Sequence, residues 1–185
     1  DTETDTPLST NMFAYCENNA INNVDFTGEW FYNFNQYYNY YNKKYTGRTL
    51  ISFKSNYKKL VNRYKSNCKV YRSAYKNHPK NDYIFDQTNA PYSSMVYGTS
   101  YSKISRVGCE LIAIYNTLKY IAKGQSFVQV IAEAEMNGLP WLNGRFGTKP
   151  ENIAKYLNAH KISYKKYTDV KKFKAKIKSS QDRKS

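Results

Sequence analysis

The chain has 185 residues, with 29 Lys and Arg against 14 Asp and Glu, for a net charge of +15. That length suits one domain with extensions, or two small ones. Its three cysteines, Cys16, Cys68 and Cys109, are too scattered for a disulfide scaffold or a zinc site, leaving room for a single reactive thiol. No apolar run approaches the roughly 18 residues of a membrane helix, no basic start followed by an apolar run marks a secretory leader, and no motif calls for a cofactor or metal.

The charge is unevenly placed. Residues 1–42 hold six acids and no base, whereas the remainder holds 29 bases against 8 acids. Such a step suggests a join between unlike modules. The basic part suits nucleic acid, an anionic membrane or an acidic protein, and a merely solvated lysine-rich surface explains it equally well.

Residues 1–10 are polar and without period. From Asn11 to Gly28, paired asparagines and Asp25-Phe26-Thr27-Gly28 read as turns, and alternation at Phe13, Tyr15 and Ile21 allows two short strands. This stretch resembles the end of the Rhs-repeat-associated core, usually N-x-Y-x-Y-x-x-N-N-P-x-N-x-x-D-P-x-G. Asn11, Tyr15, Asn18, Asn19, Asn22, Asp25 and Gly28 fall in register, while Ala20 and Phe26 replace two prolines. The resemblance implies a bacterial protein whose core closes a β-shell around a cargo. It further implies a variable toxin segment after the core, export or surface display as part of that larger protein, and an acidic immunity protein as a partner.

Residues 30–47 are nearly all aromatic or amide and read as a linker or packing surface. Between Leu50 and Tyr75, apolar residues Leu50, Phe53, Tyr57, Leu60, Tyr64, Cys68, Tyr71 and Tyr75 recur every three or four positions. That is one stripe of a long amphipathic helix, and Cys68 in it is most simply a buried thiol. The other faces are basic, and residues 43–80 contain twelve bases and no acid. Like charges along a helix repel, so the stripe must dock on the following module or meet an acidic partner. His78 to Asp82 is a turn cluster ending the helix. The domain reading is therefore 1–28, end of an Rhs core; 29–80, Tyr-rich linker and basic helix; and 81–185, a second module.

The second module opens with a strand-like run, Tyr83 to Gln87, and a loop. Leu111, Ile114, Tyr115, Leu118 and Ile121 then recur at helical spacing, placing Cys109 in the first turn of a buried helix, directly after Gly108. A helix N-terminus offers partial positive charge and unpaired N–H groups. It favours thiolate over thiol, and the same N–H groups can hold an oxyanion. Gly108 would let a substrate backbone approach, and an upstream Gln can add an oxyanion donor.

This arrangement resembles the papain-like cysteine peptidases, most nearly the double-glycine leader (bacteriocin-processing) peptidases, family thirty-nine. Gln87 matches the oxyanion glutamine, Gly108-Cys109 the nucleophile, and Ala113 a small helix position; Glu110-Leu111 replaces the usual Gly-Pro-like pair. The resemblance implies an α+β, papain-like fold: a front helical lobe with Cys109 at a helix N-terminus, and an incomplete sheet lobe. It implies cleavage or transfer at peptide or amide bonds through a Cys109 thioester, with Cys109 and Gln87 as catalytic residues.

Further elements follow. Ser126 with Gln129 forms a capping box for a helix to about Asn137. Thr148 with Glu151 forms a second, with Pro150 early in a helix to about Ala159. Lys161 to Tyr167 alternates as a strand, and Asp169 caps a last helix. A cysteine nucleophile needs a base, and in the family a His follows on a later strand. His78 precedes Cys109, and His160 stands at a helix end where it serves as a cap residue. The catalytic His is then expected beyond Ser185, and the chain as it stands is expected to be inactive or nearly so. The competing functions are a basic nuclease or RNA-acting toxin tip, for which no paired acids or His–Lys set appears, and a non-catalytic binding remnant.

Overall fold

A computed structural model of the chain describes residues 30–75, 83–89, 91–121, 125–172, 174 and 176. The Rhs-like segment 11–28 and the turn holding His78 lie outside the described residues. The architecture is α+β in the general sense: helices with one small sheet. The elements are α1 (Phe34–Lys44), α2 (Gly47–Tyr75), a 3-10 turn (Tyr92–Ser94), β1 (Val96–Tyr97), β2 (Ser102–Lys103), α3 (Ile104–Val107), α4 (Cys109–Tyr120), α5 (Phe127–Met136), a second short turn (Trp141–Gly144) and α6 (Pro150–Ala159). The strands pair antiparallel, Val96 with Lys103 and Tyr97 with Ser102. The described residues fall into two compact units, divided between Ala154 and Lys155 within α6.

At the centre of the first unit is α5. Eight of its ten residues are buried, from Phe127 to Met136, as expected for a helix apolar nearly all round. Its start is fixed by the expected capping box: Ser126 accepts from the Gln129 N–H, and the Gln129 side chain accepts from Ser126 N–H at 2.8 Å. On one side α5 meets α4, whose buried stripe Leu111, Ile114, Tyr115 and Leu118 follows the expected spacing. On the other it meets α2, which therefore docks on the module that follows it.

The aromatic stretch is a packing surface carried on a helix. Asn33 caps α1 by accepting from Gln36 N–H at 3.0 Å. Tyr37 and Tyr41 are then buried against Phe31, Phe53 and Leu60, with Tyr38, Tyr45 and Tyr57 packed around them. Tyr37 and Phe31 meet edge to face at 5.3 Å between centroids, the arrangement that ring quadrupoles favour. Burial pushes the Tyr37 phenol pKa well up.

Three asparagines dock extended segments onto helices. Each amide accepts the N–H and donates to the C=O of a single residue, as a neighbouring strand would. Asn137, just past α5, holds Phe31 at 2.7 and 2.8 Å. Asn67 of α2 holds Val96 of β1 at 2.9 Å for both bonds. Asn116 of α4 holds Ile84 at 3.1 and 2.8 Å. Backbone groups taken out of water must be paired; here asparagine side chains pair them, in a buried site at Phe31 and in part-buried ones at Val96 and Ile84.

Two expected strands are not formed. Residues 83–86 belong to no strand, and Asn116 pairs both backbone groups of Ile84. Residues 162–167 are likewise without strand structure, and six of the seven residues 161–167 are exposed, so alternation there has no buried face to serve. Asp169 does cap a helical turn, accepting from Lys171 N–H at 2.7 Å. Thr148, expected as a cap, is buried and hydrogen-bonds the Tyr97 hydroxyl at 2.8 Å.

Candidate active-site cleft around Cys109

The site is assembled from three pieces of chain. The β1–β2 turn is one wall. Residues 141–147 are a second, packed tightly onto the first at two glycines in left-handed conformation. A Cβ on Gly98 (φ +72°) would lie 2.2 Å from Asn143 O, and one on Gly144 (φ +89°) 2.6 Å from Tyr97 O. The main chain also ties them, Ser100 N–H donating to Asn143 O at 3.0 Å. The third wall is the junction of α3 and α4. Between them is an open cleft of about 760 Å³. Ser100, Ser102, Arg106, Val107, Cys109, Glu110, Arg145, Phe146 and Gly147 line it.

Cys109 is the first residue of α4, is exposed, and opens into this cleft. Its placement matches the expectation from the sequence, but its electrostatics do not. The Cys109 thiol donates to Glu110 Oε2 at 3.0 Å. Partial desolvation by the cleft wall raises the thiol pKa, and the Glu110 carboxylate raises it further by hydrogen bond and by charge. The backbone N–H groups of Glu110 and Cys109 pull it down, as a helix start should, and are outweighed. The thiol pKa is thus raised overall, although the helix N-terminus alone would favour thiolate.

Gly108 also has a different reason from the one its position suggests. A Cβ there would lie 2.4 Å from Ile104 Cγ2 and 2.7 Å from Ile104 O. Its N–H donates to Ile104 O at 2.9 Å, and its own C=O accepts from Ile112 N–H at 2.9 Å. The missing side chain lets α3 run closely into α4, rather than admitting a substrate. The glycine that borders the cleft is Gly147 (φ +74°), whose Cβ would lie 3.0 Å from Val107 O and 3.1 Å from Glu110 Oε2.

Gln87 is not among the residues lining the cleft. Its amide Nε2 donates to Ser105 O at 3.1 Å, and its Oε1 is buried with no hydrogen-bond partner among the described residues. It grips the turn that leads into α4, one helical turn before Cys109. Among the described residues, no histidine lines the cleft. His160 belongs to the second unit, where its ring stacks on Tyr156 at 4.6 Å and 14°.

The cleft brings in Arg106, Glu110 and Arg145, which sequence reasoning did not select. Glu110 was visible as a departure from the family pair, and an acid beside a cysteine is a legible signal of a raised thiol pKa. Arg145 is separated from Cys109 by 36 positions, and only the glycine contacts bring it near. Arg106 Nη2 donates to Ser102 Oγ at 3.2 Å, spanning from α3 to β2. Among the described residues, no group of three or more His, Cys, Asp or Glu side chains is placed to share a metal ion, and no helix is long and apolar enough to cross a membrane. No family model, no curated protein and no solved structure matches the chain.

Proposed function

We propose that the cleft is a cysteine acyl-transfer site of papain-like, peptidase type, acting on peptide or amide bonds through a Cys109 thioester. The observation that carries this reading is the exposed thiol at the first residue of α4, opening into a cleft large enough for several side chains, beside the first N–H groups of the helix. Those N–H groups are where an oxyanion would gather charge. Arg106 and Arg145 on the walls suit a substrate with carboxylate groups.

The site is dormant in this chain. A thiol paired with a carboxylate, with no histidine on the cleft wall among the described residues, lacks there the base that would take its proton and later activate water. Loss of a general base typically costs 10²–10⁴ in rate. In the reading offered here the chain is the C-terminal effector region of an exported Rhs-repeat protein. Peptide or protein is its substrate, and an acidic immunity protein is its partner. Gln87 acts by positioning the Ser105 turn, not as an oxyanion donor from the geometry it has.

The test is acylation by an activated peptide ester, followed by intact-mass and peptide mapping. The expected result is slow acylation at Cys109, absent in Cys109→Ala, with an acyl adduct that persists because no base turns it over. Peptide cleavage with full turnover, lost in Cys109→Ala, would refute dormancy. Acylation confined to Cys68 would refute the site itself.

A further inference from the structure

The longest helix presents a second surface, remote in role from Cys109. At about 100° per residue, Lys54, Lys58, Lys65, Lys69 and Arg72 of α2 fall within about 60° of arc and span about 27 Å of helix. All five are exposed, and α2 contains no Asp or Glu. The opposite face is fixed. Phe53 and Leu60 are buried in the aromatic cluster, Arg63 pairs with Glu135, and Asn67 holds Val96. The cations are therefore presented on a helix held to the rest of its unit along the opposite face.

We propose that this strip binds double-helical DNA through its phosphates. Phosphate recognition needs only a row of cations, since neutralised phosphates release condensed counterions. A protein partner would instead require an apolar or aromatic centre, and lysine is depleted at such interfaces. Beside the strip the exposed arc carries Ser55, Asn62, Ser66 and two further cations, Arg48 and Lys59, and Ile51, at the edge of the strip, is the one large exposed apolar side chain on this face. A membrane-surface helix would need its apolar face free, and that of α2 is buried against α1 and α5. B-form DNA offers a groove wide enough for a helix, whereas the major groove of A-form RNA is too narrow. With no base-reading set on the strip, binding is independent of sequence.

The test uses the full chain and fluorescence anisotropy with a mixed-sequence DNA duplex over a range of salt. Five phosphate contacts predict a slope of log K against log salt near −4.5, which is about a 500-fold loss of affinity between 50 and 200 mM salt. Lys54→Gln/Lys58→Gln/Lys65→Gln/Lys69→Gln, checked for unchanged circular dichroism, should reduce the slope to about −1. A control of equal charge, Lys165→Gln/Lys166→Gln/Lys171→Gln/Lys172→Gln, should leave most of it. Three results would overturn the proposal. One is an equal loss in both variants, which would mean binding by net charge. Another is tighter binding of an RNA duplex or of phosphatidylserine vesicles. The third is displacement of DNA by polyglutamate at matched charge, which would mark an acidic protein as the occupant.

Discussion

Asn137 holds both backbone groups of Phe31, 106 residues earlier in the chain, at 2.7 and 2.8 Å in a buried site. This bond pair ties the start of the aromatic helix pair to the end of α5. Removing it leaves a buried N–H and C=O without partners, each costing about 1–3 kcal/mol. Asn137→Leu should therefore lower stability by about 2–6 kcal/mol and speed proteolysis near residues 30–45. Urea unfolding and timed proteolysis read both effects. Cutting elsewhere first would show that Phe31 is held by its ring contacts instead.

Arg63 and Glu135 form a buried ion pair, with Arg63 Nε at 2.9 Å from Glu135 Oε2 and Glu135 Oε1 accepting from Gly98 N–H at 2.9 Å. Burial lowers the guanidinium pKa, but the charge and hydrogen bonds of Glu135, with a smaller contribution from Tyr101, outweigh it and raise the pKa overall. Breaking such a pair strands a buried charge, at about 3–5 kcal/mol. Arg63→Met should show that loss in the urea midpoint. Arg63→Met/Glu135→Leu should recover part of it, short of the wild type because Gly98 N–H then lacks its acceptor. A double variant no better than the single one would mean the loss comes from packing.

Gly108→Ala tests whether that glycine serves packing or substrate access. With Ile104 Cγ2 2.4 Å from the added Cβ, overpacking should destabilise by about 1–3 kcal/mol. The alkylation rate of Cys109 in the folded state should change little. Unchanged stability with blocked access to Cys109 would restore the reading of Gly108 as an opening for substrate.

Much of the helical frame was legible from residues. The spacing from Leu50 to Tyr75 marked α2, the run after Gly108 marked α4 from its first residue, and Ser126 with Gln129 marked the start of α5. What escaped is chiefly polar burial. Arg63 looks like a solvent-facing cation on the basic side of an amphipathic helix, yet it is buried, with Glu135, 72 positions later, brought opposite it. Asn67, Asn116 and Asn137 carry no periodic signal, since each is fixed by one distant backbone residue. Alternation at 161–167 predicted a strand, but no strand among the described residues pairs with it. At the site, the position of Cys109 was legible, whereas its protonation depended on the rotamer of Glu110 and on a loop closed by distant glycines.

The most direct measurement is the rate of iodoacetamide alkylation at Cys109 against pH, followed by peptide mapping, in the wild type and in Glu110→Gln. A raised thiol pKa means a smaller thiolate fraction at any given pH below it, so the wild-type curve should sit to the alkaline side of free cysteine. Replacing the carboxylate removes its charge and acceptor and should move the curve toward acid, raising the rate near pH 7 severalfold. A wild-type Cys109 that alkylates faster than free cysteine at neutral pH, unchanged by Glu110→Gln, would contradict the account of a dormant thiol held by Glu110.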